Sequence, residues 1–270
     1  MENCTNITVR DLFDTEQYLA RELLENQTYP WEVLPKIEEF ILKLGPTLNK
    51  EEFDLISGAD GKTNVWIAKD AKVAADAHLY GPLIVDHGTE IRHGAFIRGK
   101  VIIGKNCVIG NSTEIKNAVV MDNAQLPHYN YVGDSVVGNY AHLGAGAIIS
   151  NLKSTKTQVV IDGTIETCLR KVGAFLGDHV EVGCNSVLNP GTVIGKGSIV
   201  YPVSCIRGII PADHIVSTKL TITQKEKRKW EDSLAPMVSE ASQTKLWPPT
   251  LHIRLALQQQ NSSPVTISVM

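Results

Sequence analysis

No apolar run in this 270-residue chain approaches the ~18 to 20 residues that a membrane-spanning helix requires, and no basic-then-apolar signal segment opens it. A cytoplasmic location is the expectation. A polybasic run is also missing, and the formal net charge is only −3, which argues against nucleic acid and anionic membrane as partners. The five cysteines (Cys4, Cys107, Cys168, Cys184, Cys205) are scattered without CxxC spacing, as reduced thiols would be. These 270 residues hold no glycine-rich nucleotide loop of the G-x-G-T-x-M type, and no nucleotidyltransferase domain is expected among them.

What the chain does have is a rhythm of six. Ile67, Val73, Leu79, Val85, Ile91, Ile97, Ile103, Ile109, Ile115 and Met121 follow one another without a miss. If about half of all residues are apolar, ten consecutive hits in a fixed register arise by chance roughly once in a thousand. Six is three strand periods and not a whole number of helical turns, so these side chains share one side of an extended chain. The fourth position after each aliphatic is small or β-branched in Ala71, Ala77, Thr89, Ala95, Val101, Cys107, Thr113 and Val119. This is the hexapeptide repeat of an all-β, parallel β-helix, with three flat walls per coil and rungs about 4.8 Å apart. The register breaks near Pro127, returns at Val132, Val137, Leu143 and Ile149, and resumes from Leu176 to Ile206. Residues 150–173 lack it and read as a loop thrown out from the wall.

The ends read differently from the middle. Residues 1–60 suggest a helical cap over the first rung, with Thr15 opening a helix through Leu19 and Leu23. Pro35 opens a second, whose apolar face is Ile37, Phe40, Ile41 and Leu44, ended by Gly45-Pro46. The solenoid is expected over 61–217, and 218–270 reads as a polar helix followed by a flexible tail.

His128 stands out as a candidate base, because imidazole titrates near neutral pH and the residue falls at the register break beside Tyr129, Asn130 and Tyr131. His78, His87 and His93 lie on neighbouring hexads, but their spacing is not that of a zinc ligand set, and no metal is expected.

Arg98 together with "VIGNSTEIKNA" (108–118), "PHYNYVGDS" (127–135) and "NYAHLGAGAIISN" (139–151) resembles the acetyltransferase half of the bifunctional N-acetylglucosamine-1-phosphate uridyltransferase/glucosamine-1-phosphate acetyltransferases. It is similar also to short relatives labelled UDP-N-acetylglucosamine pyrophosphorylases. The similarity covers about 60–215, and His-x-x-Tyr-x-Gly-Asp is its most specific part. The resemblance implies a left-handed coil, a homotrimer with sites between subunits, and acetyl-CoA as co-substrate. On it, His128 takes the proton from the sugar amine and Asn151 lies near that amine. Arg98, Lys116 and Tyr131 hold the acceptor phosphate, and Glu114 pairs with Lys116 or accepts a sugar hydroxyl. Gly144 and Gly146 give the pantetheine arm close approach to the backbone, and Arg170 and Lys171 meet the coenzyme phosphates. The chain departs from the family pattern at Leu152, where a tyrosine is expected, at His142, where an asparagine is expected, and in its long segment 152–169. A sugar-nucleotide-binding or scaffolding solenoid without turnover stays open beside the enzyme reading.

Overall fold

The computed structural model describes residues 6–217, and in it the hexads form the three parallel walls of a β-solenoid. The C-terminal helix and tail expected over 218–270, like Cys4, lie outside the described residues. The first wall is a ladder of eight parallel strands from Lys72–Val73 to Ile215–Val216. The second runs from His78–Tyr80 to Cys205–Ile206, and the third from 65–67 to Ile209–Ile210. Ile91, Ile97, Ile103, Ile109 and Ile115 all point inward and are buried, each removing apolar surface worth about 1.5 to 3 kcal/mol gross.

The coil is not of constant length. Val85 pairs with Ile103, 18 residues on, whereas Ile103 pairs with Val120 and Val120 with Val137, 17 residues on in each case. One residue is missing between Ile115 and Val120, and another between Val132 and Val137. A slip of one residue turns every side chain to the other face. Ala118 and Val120 therefore point inward, and Val119 and Met121, which the six-residue rhythm assigns to the interior, are buried outside the column instead. Nor does the break lie at Pro127: Gln125–His128 is a regular first-wall strand with Leu126 inside.

The third wall is apolar on both faces. Its outward column, Trp66, Ile84, Ile102, Val119, Val136, Phe175 and Val193, is buried together with the N-terminal region. Sheets covered on both sides read as unbroken apolar runs, and "LIV", "VII", "AVV" and "AFL" are such runs. The N-terminal helices α1 (Val9–Leu12), α2 (Arg21–Glu25) and α3 (Ile37–Leu44) therefore lie along this wall and do not sit on the first rung. Tyr18 Oη donates to the Val120 carbonyl at 3.3 Å, and the Asp178 N–H donates to the Leu12 carbonyl at 3.0 Å. The cap of α1 is Thr8, in a capping box with Asp11; Thr15 instead donates its hydroxyl to Glu25 at 2.8 Å. The exposed edge of the first rung is paired antiparallel with Phe53–Ser57, which removes its unpaired backbone groups.

The segment after Ser150 is not thrown outward. It forms a hairpin of Val160–Ile161 with Ile165–Glu166, closed at its base by a bridge between Leu152 and Lys171. Val159, Ile161 and Val172 bury against Phe175 and Val193, because the outer face of the third wall offers them an apolar surface.

Asp86 ends a third-wall strand at 1% exposure. Its Oδ1 accepts the His87 N–H at 2.8 Å, and its Oδ2 is buried without a partner among the described residues. Burial raises its pKa, and the pKa of Asp122 is raised by burial and by the nearby Asp86 charge. A carboxylate whose folded pKa lies above its unfolded value contributes stability at low pH that is lost as pH rises through the folded pKa. Asp86→Asn is expected to melt above wild type near neutral pH, with the gap closing as the pH falls below the carboxylate range. Thermal melts over pH check this, and a pH-independent gap contradicts it.

Candidate functional site

The two missing residues build the site. In an 18-residue coil the corner from the second to the third wall passes through Gly99 (φ +82°) and Lys100 (φ +56°). In the next two coils a single residue turns it, Asn117 (φ +46°) and then Asp134 (φ +51°). Asn and Asp are the non-glycine residues that enter the left-handed region most readily. Each short corner lets one strand run across two walls, Glu114–Val120 and Tyr131–Val137. The recessed corners form the floor of a groove of about 350 Å³, walled by Arg98, Gly99 and Lys100, by Leu169, Arg170 and Lys171 at the exit of the insertion, and by Leu34, Pro35 and Glu38.

The polar contacts converge on Asp134, which is 4% exposed. Lys116 Nζ donates to its Oδ2 at 3.1 Å and approaches Oδ1 at 3.4 Å. Asn117 Nδ2 donates to Oδ1 at 2.8 Å and Asn151 Nδ2 to Oδ2 at 2.5 Å. One rung away, Arg98 donates to Glu114 at 2.7 Å. Tyr131 lies against Glu114 in the ladder and within reach of Asn151; burial, with Glu114 and Asp134 nearby, raises its phenol pKa. A Cβ on Gly133 would sit 2.7 Å from both Tyr131 Oη and Asn151 Nδ2, so the absence of a side chain there lets the two lie across the strand.

Arg98, Glu114, Lys116, Tyr131 and Asn151 are thus brought together, but Glu114 pairs with Arg98 and not with Lys116, whose ammonium is taken by the buried Asp134. Arg170 and Lys171 join Arg98 and Lys116 in the groove and are separated from Gly144 and Gly146, which belong to the first wall and its corner. Among the described residues neither Arg170 nor Lys171 has an ion-pair partner. With Lys100 these make five cations against three carboxylates, Glu38 and Asp134 in the lining and Glu114 on Arg98. The two glycines have structural duties of their own. A Cβ on Gly144 would lie 2.7 Å from the Cys184 nitrogen, and Gly146 turns at φ +72°.

His128 does not line the groove. It is exposed and sits at the corner between the first and second walls. A three-residue strand separates the two ends of the second wall by about 10 Å. Its backbone is fixed: the Gly146 N–H donates to its carbonyl at 3.0 Å, and its own N–H donates to Asn130 Oδ1 at 3.2 Å. Its imidazole has no hydrogen-bond partner among the described residues, whereas His142 is held by Glu181 at 2.8 Å. His87 and His93 are paired with Asp70 and Asp76 of their own wall, and no group of three or more metal-binding side chains gathers among the described residues.

Asp134, Asn117, Lys100 and Gly133 were missed as site residues in the sequence, although the step of five from Val132 to Val137 marks where the short corner lies. A larger groove, about 670 Å³, lies on the other side of the insertion between Ser150, Leu152, Lys153 and Asn189, Gly191, Arg207. None of the predicted site residues lines it.

Comparison with known proteins agrees with this reading of the repeat. The family described as GMPPB C-terminal domain matches residues 79–200. The bifunctional sugar-1-phosphate nucleotidylyltransferase/acetyltransferase of Sulfurisphaera tokodaii is 38% identical over 86 residues, 31% of this chain and 21% of that protein. The bifunctional protein GlmU of Methanococcus aeolicus is 33% identical over 112 residues, 41% of this chain and 27% of that protein. The match therefore spans about a fifth to a quarter of these relatives' length. Among solved structures, a putative acetyltransferase from Bacillus cereus aligns over 65% of this chain and 90% of its own at 12% identity, TM-score 0.37. The chain is a hexapeptide-repeat solenoid similar in sequence to the bifunctional sugar-phosphate enzymes.

Gly133→Ala is expected to push the Tyr131 ring and the Asn151 amide off the strand. Phenol titration by ultraviolet absorbance, with Tyr131→Phe to assign the signal, should then find the Tyr131 pKa returned toward the ordinary tyrosine value. An unchanged titration contradicts the packing described.

Proposed function

We propose that this protein is an acetyl-CoA-dependent N-acetyltransferase acting on an amino-sugar phosphate of the glucosamine-1-phosphate type, in UDP-N-acetylglucosamine synthesis. The observation that carries the reading is the gathering of Lys116, Tyr131 and Asn151 around Asp134, with Arg98 one rung away, in a groove where five cations meet the three carboxylates of Glu38, Glu114 and Asp134. Fixed positive charge and multiple donors suit a phosphate. Arg170 and Lys171 serve the phosphate in this groove, and the acetyl-CoA thioester approaches along the corner of His128, Gly144 and Gly146.

The chemistry needs one base and alignment. The acceptor ammonium gives a proton to the His128 imidazole, and the freed amine attacks the thioester carbonyl. The oxyanion that develops requires an N–H donor, and the tetrahedral adduct collapses to the amide as the carbon–sulfur bond breaks, the surplus proton on the nitrogen passing to the departing sulfur so that the coenzyme leaves as a thiol, while the imidazolium returns its proton to water. Because His128 and the cations stand at opposite ends of one short wall, the reading places a second copy's wall across them, in the homotrimer that the family resemblance implies. No helix among the described residues is long and apolar enough to cross a membrane.

One observation favours a second reading, a sugar-nucleotide-binding or scaffolding solenoid without turnover: among the described residues no side chain or backbone group hydrogen-bonds the His128 imidazole, and only its backbone N–H is held, by Asn130. Release of free thiol from acetyl-CoA with glucosamine-1-phosphate separates the two. Wild type is expected to release thiol, and His128→Ala to lose about 10² to 10⁴ in rate. No release from wild type would favour the binding reading, and equal release from both proteins would remove His128 from its role.

A further inference from the structure

The turn from the second to the third wall does not need an acid. Gly99, Gly191 and Gly208 make it in other coils at φ between +80° and +82°. At Asp134 the chain instead adopts φ +51° with a side chain that points into the protein and accepts from Lys116, Asn117 and Asn151 at once. Its backbone carbonyl also accepts the Gly173 N–H at 2.7 Å, so the exit of the insertion is tied to the same residue. One residue thus holds the coil above it through its carboxylate on Lys116 and Asn117, one end of the insertion through the same carboxylate on Asn151, and the other end through its backbone carbonyl on Gly173.

Building on the acetyltransferase reading, we propose that Asp134 is the positioning residue of this site, fixing the Lys116 ammonium and the Asn151 amide in the orientations that an amino-sugar phosphate requires. An ionised carboxylate only accepts hydrogen bonds, so Asn151 must turn its Nδ2 toward it, and Oδ1 is left for a ligand. An oxygen presented in this way accepts from the acceptor's amine and directs the nitrogen lone pair. Lys116 carries three donors on a flexible stem. Anchored by two oxygens of one carboxylate, it forgoes the rotamer freedom that phosphate binding would otherwise cost, and it keeps a donor for the phosphate. Asp134 acts on the ligand through these two side chains, its own oxygens being taken up by Lys116, Asn117 and Asn151.

Two measurements test this. The first needs no turnover: trace labelling of lysines with an amine reagent, read by mass spectrometry. In wild type Lys116 should react about tenfold more slowly than exposed Lys105, and in Asp134→Asn the two should come within about threefold, because the charge-assisted contact is gone. Asp134→Gly, which suits φ +51°, is the second variant should the first fail to fold. Equal Lys116 reactivity in wild type and variant would overturn the proposal. The second measurement is a split in Michaelis constants. Asp134→Asn should raise the glucosamine-1-phosphate KM about tenfold, leave that for acetyl-CoA within about twofold, and add nothing to Lys116→Met in the double variant. Both constants rising together, or neither moving, would reduce Asp134 to a structural residue. A wild-type chain that acetylates no amino sugar contradicts the acetyltransferase reading, and the labelling still decides whether Asp134 holds Lys116.

Discussion

The structure depends on the length of one corner. A coil of three hexads closes on itself as long as each wall receives its inward aliphatic, and a residue can be removed only where the backbone can turn more tightly. Asn117 and Asp134 supply that turn in consecutive coils, at φ +46° and +51°. The strands on either side become continuous, Val119 and Met121 rotate to the outer face, and the corner drops below its neighbours. The same two short turns thus set the register of the third wall and sink the polar floor of the groove.

The outer face of that third wall has its own consequence. Because Trp66, Ile84, Ile102, Val136 and Phe175 are covered by the N-terminal region and the insertion hairpin, this wall is already occupied within one chain. The first and second walls keep exposed outward columns, and His128 stands on the corner between them. Any second copy completing the site has to approach from that side. The arrangement relates cap, insertion and site through a single hydrophobic surface.

Much of this was legible in the sequence. The parallel solenoid, its inward isoleucines and the grouping of Arg98, Glu114, Lys116, Tyr131 and Asn151 follow from the hexads and from the resemblance they carry. The lateral packing of the cap was not read, because a six-residue template scores inward positions and is blind to the outward ones. The runs "LIV", "VII" and "AFL" held that information. The short corners were hidden by the opposite effect. Met121 is aliphatic and fits the sixfold count although Val120 faces the interior, so a run of hits concealed a slip of one. Asp134 was written within the motif yet given no role, since its meaning depends on burial that only the corner creates.

The most direct test of the account restores one missing residue: a glycine inserted between Asn117 and Ala118 gives this coil the corner length of the coil before it, which turns through Gly99 and Lys100. Thermal melting is expected to stay within a few degrees of wild type, because longer corners of this kind already belong to the fold, while glucosamine-1-phosphate-dependent release of coenzyme thiol falls at least about a hundredfold as Lys116 loses its position. An inserted variant that folds and keeps wild-type thiol release would contradict the claim that the shortened corner makes the site.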